Sequence, residues 1–183
     1  IYFLFFSIIS TCHFAQNKDE KIVKQKYEPN FIIGFDVVNA GISFFSDWKV
    51  YQGFVSSKIK NNIHAVADVG FEKNKYQKNG YDAEVSGPYI KIGGLYMLIK
   101  DPENELNGFY VGGKLAASFF QQEYFGIPVK GYNGSSFSLS LPSSSQSAYW
   151  VEANLGGKIQ LFSSPFYVDV NVQPRYLAYA TKQ

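Results

Sequence analysis

The segment Tyr149-Trp150-Val151-Glu152-Ala153-Asn154-Leu155-Gly156-Gly157-Lys158-Ile159-Gln160-Leu161 decides the fold. Tyr149, Val151, Ala153, Leu155, Ile159 and Leu161 alternate with Glu152, Asn154, Gly156, Lys158 and Gln160. A period of two puts the first set on one face of a β-strand and the second on the other, whereas a helix would scatter both around its circumference. The following segment repeats the pattern, with Phe166, Val168, Val170, Val172 and Tyr176 opposed to Asp169, Asn171, Gln173 and Arg175.

Five earlier segments read the same way. Phe31 to Val38 sets Phe31, Ile33, Phe35 and Val37 against Gly34 and Asp36. Trp48 to Ile59 is the least regular, with Trp48, Val50 and Phe54 against Lys49, Tyr51, Gly53 and Ser57. Ile63, Ala65, Ala67, Val69 and Phe71 oppose Asn62, His64, Asp68, Gly70 and Glu72. Ile90, Ile92, Gly94, Tyr96 and Leu98 oppose Lys91 and Gly93, and Val111, Leu115 and Phe119 oppose Gly112, Lys114, Ala116 and Ser118. Gly, Asn, Ser and Pro clusters separate the segments, and no helix is expected between Phe31 and Ala180.

The connections are read as alternating in length. Tight links at Lys60-Asn61 and Ser163-Ser164 and a modest one at Asp101 to Leu106 alternate with longer excursions at Lys73 to Ser86 and Gln122 to Ser147, while Asn39 to Asp47 is intermediate. Short turns on one side and long loops on the other are the pattern of an outer-membrane barrel, periplasmic turns against external loops. Strands of roughly 9–11 residues suffice to cross a bilayer when tilted. The expected fold is therefore all-β, an antiparallel up-and-down transmembrane β-barrel. Bacterial single-chain barrels have even strand numbers, so seven visible strands imply an eighth, closing strand beyond Gln183. An eight-stranded interior is filled by side chains, which disfavours a porin.

The polar face separates this reading from a soluble sandwich or ligand-carrying barrel with its apolar face inward. It carries charges of both signs in near balance: Asp36, Asp68, Glu72, Glu152 and Asp169 beside Lys91, Lys114, Lys158 and Arg175. In a narrow lumen such charges must pair, because an unpaired buried charge is very costly. All nine are assigned to the lumen as structural charges, with Glu152 and Lys158 expected in one network. Phe31, Trp48, Phe54, Phe71, Tyr89, Phe109, Tyr149, Phe166 and Tyr176 lie near segment ends, where interfacial aromatic girdles would sit. Aromatic residues make up 18% of the chain and charged residues only 17%, which suits an amphipathic sheet better than a solvated enzyme surface.

The first stretch, Ile1 to Ala15, is apolar, too short to span a bilayer and closed by small residues. It is expected to be a partial secretory signal (1–15) cleaved after Ala15, with acylation at Cys12 as the less favoured alternative. Residues 16–30 are polar and highly charged, a flexible periplasmic lead-in, and residues 31–183 form the barrel domain.

Little in the chain speaks for chemistry. Nucleic-acid binding is excluded by the near balance of 17 basic and 15 acidic residues, which gives no strongly positive face. His64 is the sole histidine left after signal cleavage, and Asp68 lies on its face about 13 Å along the strand at ~3.3 Å per residue, too far to act with it. His64 reads as a lumenal residue of a polar network. Asp101-Pro102-Glu103-Asn104-Glu105 lacks the spacing of a calcium loop, and Gly93-Gly94, Gly112-Gly113 and Gly156-Gly157 serve curvature and close packing rather than phosphate binding. No catalytic residue, cofactor or metal site is assigned. The Ser-rich stretch from Gly134 to Ser145 is expected to be an external loop able to contact a protein partner.

Several runs carry a family resemblance: Gly34-Phe35-Asp36-Val37, Tyr51-Gln52-Gly53-Phe54, Tyr89-Ile90-Lys91-Ile92-Gly93, Phe109-Tyr110-Val111-Gly112, Ala148-Tyr149-Trp150-Val151-Glu152 and Leu155-Gly156-Gly157-Lys158. Across Phe31 to Gln183 the chain resembles an uncharacterised outer-membrane β-barrel family of Bacteroidota described as a domain of unknown function. The resemblance implies an outer-membrane location and a C-terminal closing strand, and it implies no activity. The expectation is a non-enzymatic barrel in contact with outer-membrane lipid, acting as a structural, adhesion or assembly component. A membrane-embedded barrel enzyme and a soluble periplasmic binding protein are the alternatives.

Overall fold

A computed structural model describes residues 31–181 other than 103, 105, 133 and 163. The expected signal and lead-in lie outside the described residues. Among the described residues the chain is an antiparallel meander: β1 (Phe31–Phe35), β2 (Trp48–Lys60), β3 (Ile63–Lys78), β4 (Tyr81–Lys100), β5 (Gly108–Lys130), β6 (Ser136–Gln160), β7 (Tyr167–Val172) and β8 (Arg175–Ala180). Each strand from β1 to β6 pairs with the next, and β8 pairs with β6. β7 and β8 occupy one edge of β6 in one register, because Leu155 faces Val172 and Glu152 faces Arg175. Pro174, which has no N–H to donate, separates them, but its carbonyl accepts from Ala153 N at 3.0 Å and keeps the ladder going. The seventh expected segment is thus present as two strands.

The sheet is all-β and up-and-down, and it is not closed by a ladder between β1 and β7. It curls until Ile32 on β1 packs with Tyr167 on β7 and with Leu106. Curling brings neighbouring inner side chains together, and the inner face makes room for rings. Gly34, opposite Phe54 in the β1–β2 register, lies so close under the Phe54 ring that a Cβ there would sit 2.3 Å from it.

The two faces differ in the reverse sense from a water-soluble sheet. Ile33, Val69, Ile90, Ile92, Leu98, Phe109, Leu115, Leu155 and Ile159 are exposed on the convex side. Gln52, Asp68, Lys91, Lys114, Glu152, Asn154, Lys158 and Asp169 are buried on the concave side. A contiguous apolar surface of this extent on a soluble monomer would mark an interaction surface. Among the described residues no helix is long and apolar enough to cross a membrane.

Three expectations need correction. The first strand stops at Phe35, and a helix, α1 (Val37–Ser43), follows. Asp36 caps it, its Oδ1 accepting from Asn39 N at 2.9 Å, so its side chain draws the backbone out of the strand. Ser43 then ties the helix to β2, its Oγ accepting from Val50 N at 2.7 Å. Second, the excursions expected at Lys73 to Ser86 and Gln122 to Ser147 are ladder. β3 and β4 continue to a tight turn at Asn79 (φ 56°) and Gly80 (φ 82°), and β5 and β6 pair out to Lys130 and Ser136. The Ser-rich stretch is thereby largely part of β6 instead of a loop. Third, Trp48, Val50 and Phe54 lie on the inner face of β2, while Tyr51, Val55 and Ile59 are exposed. Apolar residues occur on both faces of β2, so its parity is set by pairing with β3.

Candidate functional site: the inward charge network

The centre of the inner face is a square of four buried charges on adjacent strands. Asp68 on β3 pairs in register with Lys91 on β4, and Lys114 on β5 with Glu152 on β6. The closest ion pairs run diagonally, each over an intervening strand: Lys114 Nζ to Asp68 Oδ2 at 2.6 Å and Lys91 Nζ to Glu152 Oε2 at 3.0 Å. None of the four is more than 6% exposed. Each lysine therefore has one close carboxylate and faces the other across the ladder. That is the arrangement in which buried charges can offset their desolvation.

Polar side chains on the same faces extend it, although Asp68 Oδ1 has no hydrogen-bond partner among the described residues. Gln52 Nε2 donates to Asp68 Oδ2 at 3.2 Å, and Tyr89 Oη donates to Gln52 Oε1 at 2.8 Å. Trp150 Nε1 donates to Glu152 Oε1 at 2.8 Å, and the ring of Tyr89 meets that of Trp150 edge to face. Lys91 also reaches Gln173 Oε1 at 3.5 Å, Gln173 Nε2 donates to Asn171 Oδ1 at 2.7 Å, and Asn171 Nδ2 donates to Asp169 Oδ1 at 3.3 Å. Tyr110 Oη donates to the same Asp169 oxygen at 2.6 Å. Lys158 faces Asp169 across the β6–β7 ladder and is buried beside the Tyr110 ring, 6.0 Å from its centre.

The nine expected lumen charges thus fall into groups. Asp68, Lys91, Lys114 and Glu152 form the square, and Arg175 stands at its edge, its Nε 3.8 Å from Glu152 Oε1. Asp169 and Lys158 lie further along, joined to the square through Asn171 and Gln173; Glu152 and Lys158 make no direct contact. Glu72 accepts from Trp48 Nε1 at 2.9 Å. Asp36 is buried as well, its carboxylate held by the cap of α1 and by Asn39 Nδ2 at 2.6 Å. His64 is buried on the inner face, where Lys58 and Leu95 are its register neighbours, away from the Lys114 and Gln52 contacts of Asp68.

Sequence reading missed Tyr89, Tyr110, Gln52 and Trp150 as members of this network. Three of the nine aromatics expected in girdles, Trp48, Phe54 and Tyr89, point inward instead. The signal was parity: Tyr89 is two residues from Lys91, and Trp150 two from Glu152, so each must share that charge's face. Among the described residues no group of three or more His, Cys, Asp and Glu side chains could hold a metal ion.

A family model described as a domain of unknown function (DUF6048) matches residues 1–183. No curated protein and no solved structure matches the chain.

Proposed function

We propose, from the premise that the chain belongs to this family of unknown function, that it is a non-enzymatic β-barrel of the outer membrane. Lipid covers its convex face, its interior is closed by side chains, and the end bearing α1 and the extended hairpins is the surface it offers to partners. The observation that carries this reading is the inversion of the two faces, with Ile90, Ile92, Leu115 and Leu155 outward and Lys91, Lys114, Asp68 and Glu152 inward. In water that inversion would expose an apolar sheet while burying charge, and in a bilayer both faces are matched to their surroundings. Asp68 and Glu152, the central carboxylates, are neutralised by lysines, which favours a structural role for them over acid–base catalysis.

Cell fractionation of the full-length protein, followed by comparison of unboiled and boiled samples on a gel, tests the proposal. Recovery with the outer membrane and a heat-dependent mobility shift are expected. Recovery in the aqueous fraction without a shift would overturn it.

A further inference from the structure

Above the charge square, at the end that carries the extended strands, the inner face opens into a cavity of about 470 Å3 lined from β3, β4, β5, β6 and β8. Such a volume lies within the range of roughly 300–1,000 Å3 that small-molecule sites occupy. Val85, Phe120 and Leu177 give it apolar walls, while Tyr89 and Trp150, their ring centres 6.4 Å apart, separate it from the square.

Arg175 is the one cation among its lining residues. Its guanidinium carbon lies 5.9 Å from the centre of the Trp150 ring, and half of its side chain is exposed. Glu152 Oε1, at 3.8 Å from Nε, is beyond hydrogen-bond reach, and the Glu152 oxygens already accept from Lys91 at 3.0 Å and Trp150 at 2.8 Å. Among the described residues the Arg175 side chain donates no hydrogen bond. A guanidinium presents its donors in a rigid planar fork that a carboxylate fits with two parallel bonds. Glu72, also in the lining, disfavours a ligand carrying more than one negative charge.

We propose that this cavity binds a small amphiphilic monocarboxylate, its carboxylate on the Arg175 fork and its apolar body against Trp150, Phe120 and Leu177. The site depends on the inward polar face and not on placement in the outer membrane. It can therefore fail or succeed separately from the membrane reading.

The test is a titration of the full chain, folded in detergent, with 4-phenylbutyrate, its neutral amide and the corresponding amine, read by tryptophan fluorescence. The carboxylate is expected to bind saturably and about tenfold tighter than the amide, the contribution of a charge-assisted hydrogen-bonded pair. Arg175→Gln should abolish that preference. Leu177→Trp, which narrows the cavity and leaves Arg175 in place, should weaken the binding of carboxylate and amide alike. Equal binding of carboxylate and amide, tighter binding of the amine, or no saturable binding by a chain that still shows the heat-dependent shift would overturn the proposal. Carboxylate-selective binding by a chain recovered from the aqueous fraction would support the site while overturning the membrane reading alone.

Discussion

Lys114 Nζ lies 2.6 Å from Asp68 Oδ2 although β4 runs between the strands that carry them. In a flat sheet, side chains two strands apart are separated by roughly 9–10 Å of backbone spacing. The lysine stem leans across the inner face to span that gap, and the Lys91–Glu152 pair repeats it one strand further on.

Removing one member of such a pair strands the other in a buried site. Lys114→Ala is expected to destabilise the folded chain by about 3–5 kcal/mol. The paired replacement Asp68→Leu with Lys114→Met should cost clearly less than the sum of the two single changes. Urea unfolding in lipid vesicles, arranged as a double-mutant cycle, checks it, and additive effects would sink the idea of a coupled pair.

The Phe54 ring occupies the space in which a side chain at position 34 would have to sit. Gly34→Val should therefore destabilise by about 1–3 kcal/mol, the usual cost of overpacking. Adding Phe54→Ala should reduce the further penalty of the valine, since the nearest atoms to that Cβ all belong to Phe54. A Gly34→Val chain with an unchanged unfolding midpoint would contradict the packing described.

The extended β3–β4 hairpin, beyond the apolar band, should respond to acid. Lys73 hydrogen-bonds Glu84 at 2.5 Å and Lys75 approaches it at 3.5 Å, which holds the Glu84 carboxyl below its ordinary value of 4.5. A carboxyl lowered on folding stabilises the hairpin above its unfolded value, and that contribution is lost as the pH falls through the folded one. Amide exchange at the hairpin tip should accelerate, relative to the rest of the sheet, below about pH 4.5, and Glu84→Gln should remove the dependence. An acid response that survives in the Glu84→Gln chain would place its origin elsewhere.

In the proposed barrel the four buried charges would fill the interior. Wild-type protein in a planar bilayer is expected to add no stepwise current, whereas Lys91→Ala with Glu152→Ala, which clears one diagonal, should allow ions through. Stepwise conductance by the wild type would show that the interior is open.

How far these features were legible varied with how local their cause is. The parities of β3 to β7 could be read directly, because Ile90, Ile92 and Leu98, or Val168, Val170 and Val172, take one face through backbone geometry alone. β2 could not, since Trp48 and Phe54 on one face and Tyr51 and Val55 on the other are equally apolar. The hairpin tip was legible but overlooked: Asn79-Gly80 is a strong two-residue turn signal between strands of any polarity. α1 was hidden because Phe31 to Val38 alternates through the very residue, Asp36, that ends the strand.

By itself the sequence determined the strand content, the amphipathic faces and the near equality of positive and negative charges on the polar face, since each follows from a two-residue period along a single strand. Only the tertiary structure decided that the polar face is the concave one, that Asp68 answers Lys114 while Glu152 answers Lys91, and that Arg175, among the described residues, donates no hydrogen bond beside a cavity with apolar walls. Those outcomes depend on register between strands and on curvature across several of them. Neither quantity is a property of any one segment, so no local pattern could carry it.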